Sequence, residues 1–114
     1  MTVSISTPDA AALAGLEASA VSAAHMMRLF ANEQRLILMC RLMEGECTVG
    51  ELAEVVGLSL SACSQHLARL REAGVIAPRR DAQTIHYSIA DPAAARVITL
   101  LCDFYRDKPK GLTA

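Results

Sequence analysis

Residues 48–89, TVGELAEVVGLSLSACSQHLARLREAGVIAPRRDAQTIHYSI, constrain the fold of this 114-residue chain more than any other stretch. Thr48 followed three residues later by Glu51 is a capping box, which predicts a helix from Val49. Val49, Leu52, Ala53 and Val56 then fall at helical spacing on one apolar face. Gly57 supplies the left-handed stop that only glycine adopts cheaply, Leu58 plugs the turn, and Ser59 is placed to cap a second helix. In that helix Cys63, Leu67 and Leu70 share the inward side. Ser61, Ser64, Gln65, Ala68, Arg69 and Arg71 face outward, and Gly74 ends the run. Val75 and Ile76 begin a strand, Arg79-Arg80-Asp81-Ala82 reads as a turn, and Ile85, Tyr87 and Ile89 alternate with Thr84, His86 and Ser88 at strand period. Helix, tight turn, helix and a ribbon with paired arginines at its tip is the order of a winged helix-turn-helix.

The outward face of the second helix is small, polar and basic, with no acid before Glu72. Hydroxyls and amides near a helix N-terminus suit phosphate oxygens and base edges, and the helix dipole adds attraction for phosphate. Gln65 can pair with an adenine edge, Arg69 with a guanine or a phosphate, and a wing carrying Arg79 and Arg80 can lie along a neighbouring backbone.

The length allows one domain with one core. An apolar content of 53% is high for so short a chain, so part of it is expected in a subunit interface. The net charge of −1 excludes a generic polycation, but the charge is uneven. Residues 1–58 carry three basic and seven acidic side chains, whereas residues 59–90 carry four basic and two acidic, so the basic excess sits on the proposed reading helix and wing. No apolar run has membrane-spanning length and the N-terminus lacks a signal-peptide pattern, so a cytoplasmic location with no membrane partner and mostly reduced cysteines is expected. No Cys-x-x-Cys, Ser-His-Asp arrangement, phosphate loop or metal-hydrolase motif is present; neither an enzyme nor a cofactor is expected.

Residues 10–30, rich in alanine, are expected to form one helix with Leu13, Leu16, Ala20, Ala24, Met27 and Phe30 along a sticky face. Asn32 caps a second helix to about Met43, with Leu36, Ile37, Cys40 and Met43 inward. Asp91 and Pro92 start a last helix to about Asp107, with Val97, Ile98, Leu101, Phe104 and Tyr105 apolar. The expected architecture is mainly α with a small β-hairpin wing: about five helices, two strands and an α-helical dimer interface formed by the first and last helices. A single domain spans 9–107, between loose ends at 1–8 and 108–114. A two-fold dimer would present two reading helices to a palindromic site on double-stranded DNA.

Residues 24–107 resemble the ArsR/SmtB family of bacterial winged-helix repressors. The resemblance is carried by Leu29-Phe30-Ala31-Asn32-Glu33-Gln34-Arg35-Leu36, Glu44-Gly45-Glu46, Val49-Gly50-Glu51-Leu52, Ser64-Gln65-His66-Leu67, Leu70-Arg71, Gly74-Val75-Ile76 and the wing Arg79-Arg80-Asp81-Ala82-Gln83-Thr84-Ile85. It implies a homodimer that an inducer releases from its operator, with DNA contacts drawn from Ser59, Ser61, Ser64, Gln65, His66, Arg69, Arg79, Arg80, Gln83 and Thr84. Two metal sites of the family do not carry over. Where one branch has Cys-x-Cys this chain has Glu51-Leu52-Ala53-Glu54, and beside Asp91 the last helix lacks the histidines of another branch. No metal site is therefore expected.

The chain is similar to the BigR, SqrR and HlyU type of thiol-based repressor in Leu38-Met39-Cys40 and in the Arg-Arg-x-Ala-Gln-Thr wing. That resemblance makes Cys40 one half of a redox pair answering to persulfides or oxidants. Its partner position falls on Arg106, with Cys102 one turn earlier. One turn is about 5.4 Å along the axis and a disulfide needs Cα atoms within about 7 Å, so either Cys102 is too far for a direct bridge or packing has shifted to keep the two close. A nearby Arg106 would lower a thiolate pKa, whereas two buried core thiols would be inert. Cys47 is expected exposed in a turn, and Cys63 in the core. An alternative inducer is a thiophilic metalloid, As(III) or Sb(III), held by Cys40, Cys47 and Cys102. Leu60 departs from the polar residue expected at its position, so either the operator differs or Leu60 touches a thymine methyl.

Overall fold

The computed structural model describes residues 8–106. The expected tail at 108–114, all but Pro8 of the tail at 1–8, and Asp107 lie outside the described residues. The elements in order are α1 (Ala10–Ala18), α2 (Ala20–Phe30), α3 (Glu33–Leu42), β1 (Cys47–Thr48), α4 (Val49–Val56), α5 (Leu60–Glu72), β2 (Ile76–Asp81), β3 (Thr84–Ile89) and α6 (Pro92–Tyr105).

The helix-turn-helix forms from the expected local chemistry. Thr48 Oγ1 accepts from Glu51 N at 3.2 Å, while Glu51 Oε1 accepts from Thr48 N at 2.8 Å, closing the capping box. Gly57 stands at φ 75°, where a β-carbon would be strained, and its N–H reaches Ala53 O. Ser59 Oγ accepts from Ala62 N at 3.1 Å and starts α5. Cys63, Leu67 and Leu70 of α5 are buried against Leu52 and Ala53 of α4, Leu38 and Met39 of α3, and Ile98 of α6 in one core.

Three expectations are corrected. The single helix over 10–30 is two helices, broken at Ser19 (φ −111°, ψ 14°), whose N–H is shared between Gly15 O and Leu16 O. Alanine favours helix throughout the stretch but carries no signal of direction, and Ser19 is a residue type that favours helix ends. In α3 the buried side chains are Leu38, Met39 and Leu42; Ile37 and Met43 are exposed, and Leu36 and Cys40 are half-buried. Residues 36–43 are apolar nearly all round, so periodicity does not select the inward face.

The wing is a three-stranded antiparallel sheet in the order β1-β3-β2, with Cys47 opposite Tyr87 and Pro78 on its other side. The strands extend further than expected: Arg79 pairs with His86 and Arg80 with Ile85, so the two-residue turn is Ala82-Gln83. Ala82 adopts φ 56°, a conformation usually signalled by glycine, asparagine or aspartate, which is why the tip is misread from sequence.

Candidate nucleic-acid interface

Helix α5 presents Ser61, Ser64, Gln65, Ala68, Arg69 and Arg71 to solvent over three turns. The side chains of Ser61, Ser64, Gln65, Arg69 and Arg80 hold no hydrogen bond or ion pair with another described residue, so their donors are unspent. Ser59 differs: its oxygen accepts the cap bond, leaving its hydroxyl hydrogen and one lone pair. A cleft of about 470 Å³, lined by Ser64, Ala68, Arg71, Glu72 and Tyr87, separates the reading helix from the wing. Tyr87, a wing residue not singled out from sequence as a contact, thereby joins the concave face.

His66 is half-buried rather than outward. Its Nδ1 lies 3.4 Å from Arg35 Nη1. Arginine only donates, so Nδ1 accepts and the neutral ring carries its proton on Nε2. Burial pushes the imidazole below its usual range, and the Arg35 and Arg69 charges add to the shift. Arg35 also donates from Nε to Leu29 O at 2.8 Å and from Nη2 to Arg28 O at 3.3 Å. One guanidinium therefore joins carbonyls at the end of α2, helix α3 and the reading helix. Sequence reading missed this role because the partners lie up to 31 residues away.

Arg79 is also not at the wing tip. Its Nη2 and Nε donate to Glu46 Oε1 and Oε2 at 2.8 and 2.9 Å, a forked pair. The hydrogen bond from Arg79 holds the Glu46 carboxyl below its usual range, and Arg79 is raised in return. The tip consists of Ala82 and exposed Gln83, with Asp81 opposite exposed Thr84 at its base; Arg80 is the unpaired cation of the wing among the described residues.

Away from this face, Cys40 Sγ of α3 and Cys102 Sγ of α6 lie 2.8 Å apart, both half-buried and both free thiols. Packing has thus kept the pair close despite the one-turn offset. Burial first, then the hydrogen bond with Cys102, pushes the Cys40 thiol up to about 12. The expected help from Arg106 is absent at Cys40, since Arg106 Nη2 pairs with Asp103 Oδ1 at 2.7 Å. Cys47 is fully buried in β1, not exposed in a turn, because it pairs with Tyr87 of β3 and packs into the core. Among the described residues no three His, Cys, Asp or Glu side chains gather to hold a metal ion, so Cys40, Cys47 and Cys102 do not form the trio that the alternative metalloid reading needs. Cys63 is in the core as expected.

A helix-turn-helix whose second helix is flanked by a hairpin defines the winged helix-turn-helix class of DNA-binding proteins. Residues 32–77 match the profile described as bacterial regulatory protein, arsR family. The HTH-type transcriptional regulator YgaV of Escherichia coli is 45% identical over 94 residues, 82% of this chain and 95% of that protein. The structure of reduced HlyU from Vibrio cholerae superposes with a TM-score of 0.76 at 38% identity, covering 80% of this chain and 96% of that one. The transcriptional repressor BigR of Xylella fastidiosa gives 0.75 at 32%, covering 82% and 95%. The chain belongs to the arsR family of bacterial regulatory proteins. It is a DNA-binding transcription regulator, and its relatives are regulators rather than enzymes.

Proposed function

We propose that this protein is a homodimeric, cytoplasmic transcriptional repressor whose operator affinity falls when Cys40 and Cys102 are joined by a persulfide donor or an oxidant. The supporting observation is the 2.8 Å separation of the two sulfurs in a chain whose reading helix is otherwise complete. With an oxidant, both thiols lose a proton, their two electrons pass to the oxidant, and an S–S bond forms. With a persulfide R–S–SH, one cysteine takes the outer sulfur and releases R–SH; the second cysteine attacks the resulting Cys–S–SH and expels H₂S. Either route leaves a disulfide between α3 and α6. A bridge holding extra sulfurs would need the two helices to part.

Helix α3 bears on both DNA-facing elements. Arg35 holds His66 of α5, and the residues just after α3 supply Glu46 to Arg79 of the wing. A displacement of α3 on bridging would therefore disturb the reading helix and the wing together. Dimerisation is supported by the exposed apolar residues of α1 and α6, among them Leu13, Leu16 and Leu100, all more than half exposed. No helix among the described residues is long and apolar enough to cross a membrane. The direction of regulation follows the relatives named as repressors, although the relative HlyU is named a transcriptional activator.

Titration of a duplex from upstream of the protein's own gene tests the switch, using reduced, persulfide-treated and diamide-treated protein. Affinity should fall at least about fivefold on treatment, the lower end of ordinary allosteric coupling. It should recover with dithiothreitol and stay constant in Cys40→Ser. Equal affinity in all three states would remove the thiol switch while leaving DNA binding intact.

A further inference from the structure

We propose that Leu60 is a base-reading residue that packs on the C5-methyl group of a thymine in the major groove. The inference rests on the DNA-binding reading above and names one base feature that reading leaves open. Leu60 is 59% exposed, whereas Leu67 and Leu70 of the same helix are at most 1% exposed. Among the outward residues of α5 it is the one large apolar side chain; the rest are serine, glutamine, alanine, arginine and glutamate.

Its place on the helix gives that exposure a direction. Ser59 caps the helix by accepting from Ala62 N, so the first turn is fixed and Leu60 is its first residue. Helical β-carbons tilt toward the N-terminal end, the end of a recognition helix that meets base edges. Ser61 is adjacent and Ser64 is one turn on, both exposed with free hydroxyls. Those hydroxyls serve base acceptors and donors of several kinds and do not register a methyl group. The thymine methyl is the apolar feature of the major groove, and a leucine is matched to it. Cytosine has only hydrogen at C5 and an amino group where thymine has O4, so there Leu60 would lose the methyl contact and crowd a donor it cannot satisfy, and it thereby also rejects that base.

The probe is the duplex that the reduced protein protects upstream of its own gene, with each thymine replaced in turn by deoxyuridine. That base keeps thymine's hydrogen bonds and lacks only the methyl. Wild-type affinity should fall about fourfold at one position in each half-site, the value of one buried methyl-sized group. Leu60→Ala should bind the thymine duplex about as weakly as wild type binds the deoxyuridine duplex, and should not distinguish the two. Leu60→Met should restore the distinction, and unchanged thermal melting of both variants verifies the fold. Indifference of wild type to every replacement overturns the proposal. So does a methyl effect that survives in Leu60→Ala, which would assign it to Ala68 or another neighbour. Failure to protect any upstream DNA would instead overturn the DNA-binding reading itself.

Discussion

Helices α5 and α1 are both rich in small and apolar residues, yet the chain treats them differently. Helix α5 buries Cys63, Leu67 and Leu70 in the common core, while α1 buries nothing and leaves Leu13 and Leu16 more than half exposed. The reading helix is thus positioned by its own subunit, so its presentation to DNA does not wait on assembly. Helix α1 has no such support, and nine residues are too few for a helix to stand alone in water. Within the chain it has its Asp9 cap and its contact with α2; under the proposed function the second copy supplies the surface that covers its apolar side. Each copy would then fold its own reading head, and the pair would set the distance between heads.

The contrast is broken most strongly by mutating the two faces. Leu70→Ala should lower the free energy of unfolding by about 2–5 kcal/mol, because it opens a cavity in a closed core. Chemical denaturation monitored by circular dichroism measures it, and a loss below about 1 kcal/mol would mean that α5 is held some other way. The double variant Leu13→Asp with Leu16→Asp should leave folding nearly intact but weaken self-association at least about tenfold, close to 1.4 kcal/mol. Sedimentation velocity over a concentration series would show the shift; unchanged association would move the seam away from α1.

Capping sharpens the same comparison at lower energy. Thr48→Ala should cost about 1 kcal/mol, since the capping box at α4 is complete. Ser19→Ala should cost almost nothing, because Ser19 makes no side-chain cap bond to α2. Paired denaturation curves measure both, and equal costs would show that α2 is capped in solution after all.

The smallest effect at neutral pH is that of the Cys40 proton. Cys40 is raised from the ordinary 9.0 to about 12, so the folded state keeps this proton longer than the unfolded chain does. The stability linked to it is complete below about pH 9 and is lost as pH rises toward 12. Alkylation of Cys40 by iodoacetamide, followed by peptide mass spectrometry, should be slow at neutral pH and accelerate only above about pH 9. Fast alkylation at pH 7 would show that Cys40 is the exposed thiolate of the pair.

The residues that were legible in the sequence are those whose signals are local. Thr48, Glu51, Gly57 and Ser59 specify their own backbone, so α4, the turn and α5 fall where the chain predicts. The faces that were misread depend on partners far along the chain. The inward side of α3 is chosen by packing among Leu38, Met39 and Leu42 within a run that is apolar nearly all round. Cys47 is buried because it pairs with Tyr87, forty residues later. The candidate site divides in the same way. Ser61, Ser64, Gln65 and Arg69 are exposed as expected, while His66 and Arg79 are engaged by Arg35 and Glu46. The closeness of Cys40 and Cys102 was also undecidable from spacing, because one helical turn of offset can be absorbed by how α3 and α6 pack.

The most direct test of the account is a footprint of the reduced protein on the DNA upstream of its own gene at low salt. Two self-supported reading heads joined by a seam should protect two major-groove segments whose centres lie about one helical turn, roughly 10 base pairs, or a multiple of it apart. The two segments should be covered together as protein is added. A single protected groove, or none, would contradict it.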